Sequence, residues 1–108
     1  MAMYHKTVTL GASAVSLYEH LYGATVPTDG RDVTFRWLSI QGEAANAAAY
    51  IGGAGGAALT STDYGLTLAA ASVTPVNFGA HFAGPFRLSD VFMLGTATNK
   101  FHLHGILN

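Results

Sequence analysis

At 108 residues the chain is long enough for one hydrophobic core and short for two. Its 5 Lys and Arg against 6 Asp and Glu give a formal net charge of −1, and no basic block or stripe marks a phosphate-tracking nucleic-acid surface. Cysteine is absent, which removes disulfides, thiolate metal sites and cysteine nucleophiles and fits assembly in a reducing cytoplasm.

The charge count carries more information than the balance. Only 10% of residues are Asp, Glu, Lys or Arg, against about 25% in an ordinary soluble domain. A monomer with so sparse a charged surface self-associates readily, so the expectation is an oligomer or an assembly component. The apolar runs, such as residues 44–49, fall far short of the ~18 needed to span a membrane. The first six residues lead straight into an alternating segment with no signal-peptide core.

In chain order, residues 6–10 alternate, with Val8 and Leu10 on one face and Thr7 and Thr9 on the other. Residues 13–22 have a helical spacing, Leu17 and Leu21 at i, i+4, with Ser13 as a candidate cap. Residues 32–41 put Val33, Phe35 and Trp37 on one face and end with Leu38 and Ile40 on the other, which predicts a central strand covered on both sides. Residues 43–50 are Ala-rich and helix-permissive. Shorter strand candidates are 48–52, 57–61, 66–69, 73–78, 81–88 and 90–94, and a longer one, 100–107, closes the chain. Turns at Thr28-Asp29-Gly30, the glycine stretch 52–56, Asp63-Tyr64-Gly65 and residues 95–99 separate them. The expected fold is all-β: one β-sandwich or jelly-roll-like domain over residues 1–108, built of short antiparallel strands, with room for one short helix near the N-terminus. Residues 1–10 are expected as an arm reaching a neighbour, and residues 69–83 as an inserted loop or strand.

Each candidate for chemistry has a structural competitor. The run Ile51-Gly52-Gly53-Ala54-Gly55-Gly56 lacks the Gly-Lys-Ser/Thr ending of a phosphate loop and the spacing of a dinucleotide fingerprint, so a hairpin turn is its default reading. His102 and His104 share one strand face and form the candidate metal pair, with Asp90, Glu43 or His81 as a third ligand only if the fold brings one close. The bland alternative is a polar face lying against solvent or a neighbouring subunit. No Gly-x-Ser-x-Gly elbow is present, and Asp29, Asp63 and Asp90 occupy turn positions that Asp fills for backbone reasons. Trp37, Phe35, Phe86, Phe92 and Phe101 read as core; Tyr18, Tyr22, Tyr50 and Tyr64 read as loop or strand-end residues suited to an interface. The interface candidates are Tyr4, His5, Tyr50, Tyr64, His102 and His104. No catalytic residue and no cofactor is expected.

The second half carries further patterns: Tyr50-Ile51-Gly52, then Leu59-Thr60-Ser61-Thr62-Asp63-Tyr64-Gly65-Leu66-Thr67-Leu68, then Gly84-Pro85-Phe86-Arg87-Leu88-Ser89-Asp90-Val91-Phe92-Met93-Leu94-Gly95-Thr96, then Lys100-Phe101-His102-Leu103. These resemble a family of small tailed-phage virion proteins over residues 33–107, with residues 69–83 longer than the pattern. The resemblance implies a β-sandwich of the phage particle, in head decoration or the head–tail region, and carries over no active-site residue. The expectation is a non-enzymatic capsid decoration or cement protein of the virion, made in the host cytoplasm. It would be a homo-oligomer, with a trimer favoured, bound to the major capsid protein or another virion protein, with neither nucleic acid nor membrane as partner. The alternatives are a neck, tail or baseplate adaptor, a carbohydrate-binding module, and a metal-dependent cupin-like enzyme using His102 and His104.

Overall fold

The computed structural model describes residues 2–23, 30–53, 58–78 and 85–108. In chain order the strands are β1 (Met3–Thr9), β2 (Val15–Ser16), β3 (Thr34–Gln41), β4 (Ala49–Gly52), β5 (Leu66–Leu68), β6 (Val76–Phe78), β7 (Phe86–Arg87), β8 (Phe92–Leu94) and β9 (Lys100–Leu107). One helix, α1 (Leu17–Tyr22), follows β2, and a 3-10 turn spans Leu88–Asp90.

All strand pairs are antiparallel, and their nesting defines the fold. The first strand pairs with the last, β1 with β9; β2 pairs with β8, β3 with β6, and β4 with β5. This is a single long hairpin rolled up on itself. Contacts of β9 with β3 and of β8 with β4 close the roll into two sheets, β1-β9-β3-β6 and β2-β8-β4-β5, with the short β7 beside the start of β3. That order is a jelly roll. The fold is therefore all-β in two antiparallel sheets, as the alternating runs and turn spacing imply. Between the sheets lies one core, with Val8, Phe35, Leu38, Ile40, Phe101 and Leu103 from one side and Ala49, Ile51, Leu68 and Met93 from the other.

β3 departs from simple alternation, and the departure aims the outer face. Phe35 pairs with Leu107 but Trp37 pairs with Ile106, so a bulge inserts one extra residue into β3. The insertion flips the parity of everything after it. Phe35, Leu38 and Ile40 are all fully buried in the same core, while Trp37 is only half-buried on the opposite face. The two apolar faces read from residues 32–41 are thus one apolar face with a shift in it. Gly105 lies opposite Leu38, under the ring of Phe35. A Cβ there would stand 2.8 Å from the Trp37 carbonyl oxygen and 2.9 Å from a Phe35 ring carbon.

The helix forms where its spacing indicates, but three residues after the candidate cap. Ser16 is the N-cap, its Oγ accepting from the Glu19 N–H at 3.1 Å, because residues 15–16 are drawn into pairing with β8. Gly23 ends the helix in the left-handed region at φ 72°, donating its N–H to the Glu19 carbonyl. Leu17 and Tyr18 are buried against the core; Tyr18 is not the loop residue the sequence suggests.

Three other expectations change. Residues 43–50 are not helical: Asn46 donates its side-chain amide to the Lys100 carbonyl at 2.6 Å, its own carbonyl accepts from Ala71, and Asn99 Oδ1 accepts from the Ala47 N–H. Those tertiary bonds claim the backbone groups a helix would use. Residues 58–61 of the candidate strand 57–61 form a loop and turn held by the Thr60 hydroxyl, which accepts from the Asp63 N–H. Residues 3–9 of the expected arm are an edge strand paired along its whole length, with Val8 fully buried. Of the expected insertion, residues 76–78 are β6, a member of the first sheet; residues 79–83 lie outside the described residues, as do Asp29, residues 54–57 of the glycine stretch, and His81.

Candidate functional site

The first sheet has a core side and an outer side, and its outer side gathers most of the chain's histidine. In β9 the alternation buries Phe101, Leu103 and Gly105 and leaves His102 and His104 exposed. The register then sets Met3, His5 and Thr7 of β1 beside Ile106, His104 and His102. From β3 come Trp37, Ser39 and Gln41, opposite Ile106, His104 and His102. Without the bulge, Trp37 would point into the core instead.

The backbone bonds fix which cross-strand pairs are close. Leu107 donates to Ala2 and Leu10 donates to Asn99, so the even-numbered residues of β1 occupy hydrogen-bonded positions against β9. His5 with His104, and Thr7 with His102, therefore sit at non-hydrogen-bonded positions, where Cα atoms approach to about 4.5 Å and side chains lie closest.

His102 uses both ring nitrogens. Nε2 lies 2.7 Å from Glu43 Oε2 and Nδ1 lies 3.2 Å from Thr7 Oγ1. A carboxylate only accepts, so in the neutral ring Nε2 carries the hydrogen and Nδ1 accepts from the Thr7 hydroxyl. The pair is open to water, with the His102 and Glu43 side chains 48% and 40% exposed, so its contribution to stability is small. His104 meets Trp37 edge to face, ring centroids 5.6 Å apart. Among the described residues neither His5 nor His104 spends a ring nitrogen on a hydrogen bond.

Thr7, His102 and Glu43 have the connectivity of a hydroxyl, a base and an orienting acid. They lie on a sheet face, away from the two clefts described. One cleft, about 220 Å³, is lined by Ile51, Gly52, Gly65, Leu66, Phe78 and Asp90; Asp90 there accepts the Arg87 N–H at 2.8 Å and caps the 3-10 turn. The other, about 270 Å³, is lined by residues that include Gly11, Glu19 and His20. His20 is structural: Nδ1 accepts the Gly11 N–H at 3.1 Å and Nε2 donates to the Met93 carbonyl at 2.8 Å. Among the described residues no group of three or more His, Asp or Glu is arranged to hold a metal. Of the third ligands considered for His102 and His104, Glu43 reaches His102, and Asp90 is bound to Arg87.

The remaining interface candidates divide. Tyr4 faces the core side, its ring edge-on to Phe35 at 4.9 Å, and is not an outward contact. Its hydroxyl is buried with no hydrogen bond of good geometry among the described residues. Burial, and then the neighbouring Tyr22 hydroxyl, push its ionisation up. The Tyr22 ring meets two cations, the Lys6 ammonium 5.4 Å from its centre and the Arg31 guanidinium at 4.0 Å. Tyr50 and Tyr64 pair at 4.9 Å on the second sheet. Beside Tyr50 on that outer face lie Phe92 and Leu94, half-buried rather than core.

The Phe86-Arg87-Leu88-Ser89-Asp90 motif is a clamp. Asp32, 8% exposed, accepts from the Ser89 N–H and Oγ, and Arg87 donates to the Asp32 carbonyl at 2.7 Å. No family model, curated protein or solved structure matches the chain.

Proposed function

We propose that this chain is a non-enzymatic structural subunit of a tailed-phage particle, a decoration protein that stabilises the head by bridging capsomers. The observation that carries the proposal is a jelly roll whose outer sheet faces are centred on uncharged side chains, with the permanent charges of the first sheet towards the ends of its row. On the first sheet the outward row is Met3, His5, Thr7, Trp37, Ser39, Gln41, His102, His104 and Ile106, with the exposed Arg36 and Arg87 towards one end and Lys100 and Glu43 towards the other. On the second it is Tyr50, Phe92 and Leu94. Covering the uncharged centres of these faces costs little charge desolvation, and an attachment of about 1,600 Å² is a standard size for a specific contact. The strand-and-turn likeness of the second half to small virion proteins points the same way.

The partner in this proposal is the major capsid protein or another virion protein. Self-association, as a trimer, would multiply three weak contacts into a firm one. The virion surface is the proposed location, after synthesis in the host cytoplasm. Among the described residues no helix is long and apolar enough to cross a membrane.

The test is quantitative. Particles that lack the protein should lose shell integrity at a lower temperature and regain it when purified protein is added back. Hundreds of copies per particle support decoration; about a dozen transfer the role to the neck or tail. The Tyr50–Tyr64 ring pair supports a second reading, a carbohydrate-binding module. Glycan-array binding that disappears in Tyr64→Ala would favour it, and an array without signal would remove it.

A further inference from the structure

We propose that His5 and His104 form a binding site for an imidazole-preferring divalent transition ion such as Zn²⁺ or Ni²⁺, held across β1 and β9. The pair differs from the His102–His104 spacing that the sequence suggests. His102 and His104 lie two residues apart on one strand, and both nitrogens of His102 are engaged, by Thr7 and by Glu43. His5 and His104 are directly opposed, and both rings are exposed with no hydrogen bond among the described residues.

The geometry suits chelation. A non-hydrogen-bonded pair sets the two Cβ atoms about 5 Å apart on the same face. Two nitrogens bound to one tetrahedral ion at 2.0–2.1 Å stand about 3.3 Å from each other. Rings leaning together from that separation reach it by side-chain rotation alone. Trp37, edge-on to His104, narrows the orientations that ring samples and so lowers the entropy cost of binding.

Two neutral imidazoles select the ion class. They suit Zn²⁺, Ni²⁺ and Cu²⁺ and offer nothing to Mg²⁺ or Ca²⁺, which demand several oxygen ligands. Water completes the coordination, so the site is weaker than a four-ligand structural zinc site.

The experiment uses the full chain purified without an affinity tag, titrated calorimetrically with ZnCl₂ and NiCl₂. The expected result is one ion per chain, at least tenfold weaker in His5→Gln and in His104→Gln, and changed less than threefold in His102→Gln. A measurement on the unaltered protein guards against variants that misfold. Paramagnetic Ni²⁺ should broaden the ring proton signals of His5 and His104 at lower concentration than those of His20. Binding that survives both His5→Gln and His104→Gln, loss confined to His102→Gln, or no binding at 1 mM ion would overturn the proposal.

Discussion

Gly105 shows how one residue holds the outer face in place. The β3 bulge brings the Trp37 carbonyl and the Phe35 ring over Gly105, leaving no room for a methyl group. The oxygen belongs to the backbone and cannot rotate aside. Gly105→Ala should therefore cost about 2 kcal/mol or more, read as a lower urea midpoint with an unchanged slope. A midpoint within error of the parent would mean that the bulge relaxes freely. Tyr4 offers a pH-dependent check at the same scale. Its phenol ionises less readily in the folded protein than in the unfolded chain, so the unfolded state releases its proton first as pH rises. Its contribution is complete below about pH 10, the ordinary phenol value, and is lost as pH climbs above it. In Tyr4→Phe the alkaline fall in melting temperature should be shallower, with stability at pH 7 altered by less than about 1 kcal/mol. An alkaline profile that overlays the parent's would show that Tyr4 titrates as it would in water.

At the level of elements, legibility in the sequence follows the reach of the interactions. β9 and residues 6–9 of β1 announce themselves because alternation is local, and the 100–107 run places its burial correctly as far as Gly105, beyond which Ile106 and Leu107 are both half-buried. The bulge in β3 is invisible without its partner strand, since only the register against β9 shows the extra residue. Residues 43–50 mislead for a related reason: Asn46, Ala47 and their partners Lys100, Ala71 and Asn99 are distant in sequence, and their bonds override alanine's helical preference. The helix was legible but its cap was not, because pairing of Val15 and Ser16 with β8 delays the start. Ser16→Ala should cost about 1 kcal/mol, a melting-point drop of about 4 °C, whereas Ser13→Ala should leave the melting point unchanged. The reverse order would return the cap to Ser13.

For the whole molecule, the class of fold was readable from turn spacing and short alternating runs, while the nested pairing of first strand with last was not. The candidate site shows the same division. That His102 and His104 share a face follows from a spacing of two. That His5 joins them, that Thr7 and Glu43 engage His102, and that Trp37 turns outward all depend on register across the first sheet. The proposed structural role starts from a chain with only 10% charged residues, and the particle is where it can be tested. Intact phage particles should be labelled with a gold-tagged antibody to this protein and viewed by electron microscopy. Label spread over the head is the expected result; particles without label, from a preparation in which the antibody recognises the purified protein, would contradict a structural role in the virion.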